Sequence, residues 1–114
     1  MTITKATRDW VGIACLIIDA GDALREAHAG GRHDHLVFRV EQLGAQALSM
    51  LPVGRFEVQL AYHEEPFSRD QSPLRLLLDA EELTRAHPIE AFPAGASVVV
   101  VGLIDALHDL LAGC

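Results

Sequence analysis

The chain has 114 residues, a formal net charge of −7 and no run of lysine or arginine. One domain, 1–114, is the expectation at that length, with about two-thirds of the unfolded surface buried and no metal or disulfide staple required. The missing basic footprint excludes nucleic-acid recognition by direct phosphate neutralisation, and the acidity disfavours an anionic membrane surface.

Half of the residues are apolar. Either the core is well filled and ordinary apolar side chains dot the surface, or one apolar face is completed by a second chain, most often through a two-fold homodimer. The balance for so short a chain tips towards a homo-oligomer or another protein partner. Only Cys15 and Cys114 are present, which is no disulfide framework and fits a reducing, cytoplasmic compartment. Lys5 is the only lysine against eight arginines, and asparagine is absent. That usage fits a GC-rich bacterial gene, or a phage or plasmid in such a host. Lys5 and Arg8 precede the apolar stretch Trp10 to Ile18, but Asp19 and Asp22 follow where an export signal needs small residues. Val98 to Leu111 is too short for a bilayer span and carries Asp105, His108 and Asp109.

In chain order, residues 6–29 predict a helix. Trp10, Ile13, Ile17, Leu24 and Ala27 recur at helical spacing, with Ala14 and Ala20 beside them, and Gly30-Gly31 supplies the stop. Asp19, Asp22 and Glu26 lie three and four apart on the opposite face. They form either a docking stripe or, more commonly, a solvated helix face. Residues 34–51 predict a second helix capped by Asp34, with a stripe of Leu36, Val40, Leu43, Ala47 and Leu51. Gly44 on that stripe costs about 1 kcal/mol relative to alanine, and it permits close approach of another helix. The two segments together predict an antiparallel helical hairpin.

Residues 55–63 alternate, with Phe56, Val58, Leu60 and Tyr62 on one side, and predict a half-buried strand. Leu74, Leu76 and Leu78 predict its antiparallel partner across a long polar loop. A short helix then starts at Asp79, with Glu81 and Glu82 near its positive end, and closes at His87-Pro88. Pro93-Ala94-Gly95 predicts a turn. Val100, Leu103, Ile104, Leu107 and Leu111 predict a helix over 96–112, although Val98 to Val101 would also suit a buried strand. The fold class expected is therefore α+β, with helices packed on one face of a β-hairpin that is marginal by itself.

Three groups of residues invite chemistry. His28, His33 and His35 flank a Gly-Gly turn and could converge on a divalent transition metal such as zinc or nickel, but their spacing matches no standard ligand motif. A surface loop and helix cap explains the same residues. His108 and Asp109 lie three and four residues after Asp105, which places His108 near Asp105 and Asp105 near Asp109 on one helix face, and a polar face of a terminal helix accounts for them at least as well. The loop 64–73 carries Phe67 and Arg69, residue types that anchor interfaces, with burial of Phe67 against the sheet as the alternative. Cys15 falls in an apolar stretch and reads as inert, and no nucleophile elbow, P-loop or dinucleotide fingerprint occurs.

The leading expectation is a non-enzymatic interaction or regulatory protein, acting through an apolar and acidic surface and holding no cofactor. The alternative is a metal- or small-molecule-binding protein, a small enzyme among them, centred on His28, His33 and His35. A deep pocket with convergent histidines would favour the second reading; an exposed apolar patch would favour the first.

Overall fold

The computed structural model describes residues 4–27, 34–51 and 72–112. These residues form four α-helices and one 3-10 turn, and no strand occurs among them.

Helix α1 runs Lys5–Ala27. The hydroxyl of Thr4 accepts a hydrogen bond from the Thr7 amide at 3.1 Å, satisfying one of the free N–H groups of the first turn. Helix α2 runs Asp34–Ser49. Its predicted stripe Leu36, Val40, Leu43, Ala47 and Leu51 is buried throughout. The two helices are antiparallel, because Gly21 faces Glu41 while Gly44 faces Ile18. A Cβ on Gly44 would lie 2.8 Å from Ile18 Cγ1 and 3.3 Å from the Ile18 backbone nitrogen. The mid-helix glycine thus lets the two backbones approach, which offsets its poor helix propensity.

Helix α3 runs Pro73–Thr84 and α4 runs Ala96–Ala112, with the 3-10 turn Ile89–Ala91 between them. Gly95 has φ +88°, a conformation that glycine tolerates without a Cβ clash, and it turns the chain into α4. α1 packs on α2 and α3, and α4 packs on the same two helices, so α1 and α4 stand at opposite corners. One core runs through all four and is centred on Trp10, Ile13, Ile17, Val40, Leu77, Val99 and Leu103.

This corrects the expected α+β architecture. The segment Leu74–Leu78, expected as a strand, lies in α3, and that helix starts six residues before Asp79. Leucines at 74, 76, 77 and 78 satisfy a period of two and a period of 3.6 at once, so alternation alone could not decide. The deciding signal is Ser72-Pro73. Ser72 is extended and its hydroxyl accepts from the Arg75 amide at 3.2 Å, while Pro73 occupies the first turn, where it has no hydrogen bond to lose. Leu76, Leu77, Ala80 and Thr84 then face the core as one helical stripe, and Leu78 turns outward. The expected strand 55–63 lies outside the described residues.

Candidate functional site

The least satisfied apolar surface among the described residues belongs to α4. Its inward side buries Ala96, Val99, Leu103, Ala106 and Leu107 against α2 and α3. Its outward side leaves Val98 57%, Val101 59%, Ile104 42% and Leu111 58% exposed. Val101, Ile104, His108 and Leu111 follow one another at intervals of three and four residues, so they line one strip of the helix surface. Ile104 and Leu111 belong to the stripe that the sequence assigns to the core. The structure splits that stripe: Leu103 and Leu107 lie inside with Val99 and Ala106, while Ile104 and Leu111 lie outside. The run Val98 to Val101 makes α4 apolar on every side, so pattern alone does not choose which side is buried.

The strip is held firmly from behind. Gly102 lets Leu43 of α2 come so close that a Cβ there would lie 2.5 Å from Leu43 Cδ2. Arg39 of α2 pairs with Asp109 at the edge of the strip. Asp105 and His108 are exposed beside the apolar residues, and α4 contains no lysine or arginine.

A second cluster joins α1 to the connection between α3 and α4. His87 Nε2 lies 2.6 Å from Asp9 Oδ2, with both side chains mostly buried. The His87 ring meets Phe92 edge-on at 5.5 Å, and Phe92 meets Trp10 at 5.3 Å. Trp10 Nε1 donates to the Ala47 carbonyl at 2.9 Å in the core. An imidazole oriented by a carboxylate supplies two of the three members of a hydrolytic triad, but no hydroxyl or thiol hydrogen-bonds to His87 among the described residues. The cluster therefore acts as a staple that fixes residues 85–95 to α1. Sequence reasoning passed over it, since Asp9 and His87 are 78 residues apart and neither sits in a motif.

The residues singled out from sequence fare unequally. His28, His33, Phe67 and Arg69 lie outside the described residues. His35 is exposed in the first turn of α2. No group of three His, Cys, Asp or Glu side chains able to hold a metal occurs among the described residues. Asp22 and Glu26 face solvent on α1, whereas Asp19 is half-buried near Cys15. Burial, with a smaller push from Asp19, raises the Cys15 thiol to about 11, so it stays protonated at neutral pH and is a poor nucleophile. No helix among the described residues is long and apolar enough to cross a membrane.

No protein-family model matches the sequence, and no curated protein or solved structure matches it either.

Proposed function

We propose that this is a non-enzymatic protein-interaction or regulatory protein that binds another polypeptide through the outward face of α4. The observation that carries the reading is the strip of Val98, Val101, Ile104 and Leu111, each about half exposed on a helix whose other side is fixed in the core. Contiguous apolar surface on a folded domain costs solvation free energy, and such patches mark contact sites. Asp105 is exposed at the flank of the strip, on a chain whose net charge is −7. Residence in the cytoplasm fits the same reading, since the buried Cys15 is free and protonated.

The test is site-specific photocrosslinking in the organism that encodes the chain. A benzophenone amino acid replaces Val101 in one strain and Glu82, exposed on α3, in another. The expected result is a discrete crosslinked polypeptide at position 101 and none at position 82. Absence of any product specific to position 101 contradicts the reading.

A further inference from the structure

We draw no further inference here: the strongest candidate, the outward apolar face of α4 formed by Val98, Val101, Ile104 and Leu111, belongs to the site already described, and nothing among the described residues shows what covers it.

Discussion

Helices α1 and α4 use nearly the same residue types to opposite ends. Every residue of α1 from Trp10 to Ile17 is buried, so the helix is enclosed on all sides at its middle. α4 has the more uniformly apolar sequence, yet Val98, Val101, Ile104 and Leu111 remain exposed. Among the described residues both helices pack on α2 and α3, but α1 packs on them far more extensively and carries the Trp10–Phe92 and Trp10–Ala47 contacts that tie distant segments together. No described residue covers the outward side of α4. Apolar content therefore predicts burial only where neighbouring elements meet the helix on that side.

Substitutions sharpen that contrast. The largest loss is expected for Trp10→Ala, about 3–5 kcal/mol, because it opens a cavity at the centre and removes the indole donor to the Ala47 carbonyl, which keeps only the longer bond from the Met50 amide. On α4 the buried Leu103→Ala should cost about 2–5 kcal/mol, so the two sides of that helix differ sharply. Urea denaturation with fitted m-values measures both.

Glycine substitutions ask how tight each contact is. Gly44→Ala should lose about 1 kcal/mol net, because the new Cβ meets Ile18 side chain and backbone and the strain exceeds the gain in helix propensity. Gly102→Ala should be neutral within about 0.5 kcal/mol, since the atom in the way is the free end of Leu43, which can rotate. Thermal unfolding of the two variants side by side decides it. Equal losses would mean that α4 is locked as tightly as α1, against the comparison.

Two smaller effects depend on pH. Cys15 has its thiol raised from 9.0 to about 11, so its contribution to stability is complete below the unfolded value and is lost as pH rises through that window. Cys15→Ala should flatten the decline in urea midpoint between those two values. Glu41 is held below its usual range, first by a hydrogen bond from Arg25, whose Nε lies 2.9 Å from Oε2. A lowered carboxylate contributes above its unfolded value and loses the contribution as pH falls through its folded one. Glu41→Gln should therefore cost about 0.5 kcal/mol or less at neutral pH, as expected of an exposed pair, and nothing in acid.

Helices with one clear apolar side were legible in the sequence. The stripe Leu36, Val40, Leu43, Ala47 and Leu51 placed α2 and its buried face correctly, and Gly44 on that stripe signalled the close approach to α1. The start of α3 was not legible from leucine spacing, since four leucines in five positions fit either period; the capping chemistry of Ser72-Pro73 was the usable signal. The exposed strip of α4 was hidden for a related reason. Where Val98 to Val101 are all apolar, the pattern fixes a helix without fixing its rotation, and only α2 and α3 decide it. The Asp9–His87 pair is a long-range contact that no local pattern encodes.

The exposure of Val101 and Ile104 implies that the outward strip of α4 contributes little to the fold of a single chain. Urea denaturation of Val101→Asp, Ile104→Asp in dilute solution, at about 1 μM, tests it most directly. An unfolding free energy within about 1 kcal/mol of the parent chain is predicted, as for substitutions on a free surface. A loss of about 3 kcal/mol or more, the cost of forcing charge into a packed interior, would show that the strip belongs to the monomer's own core.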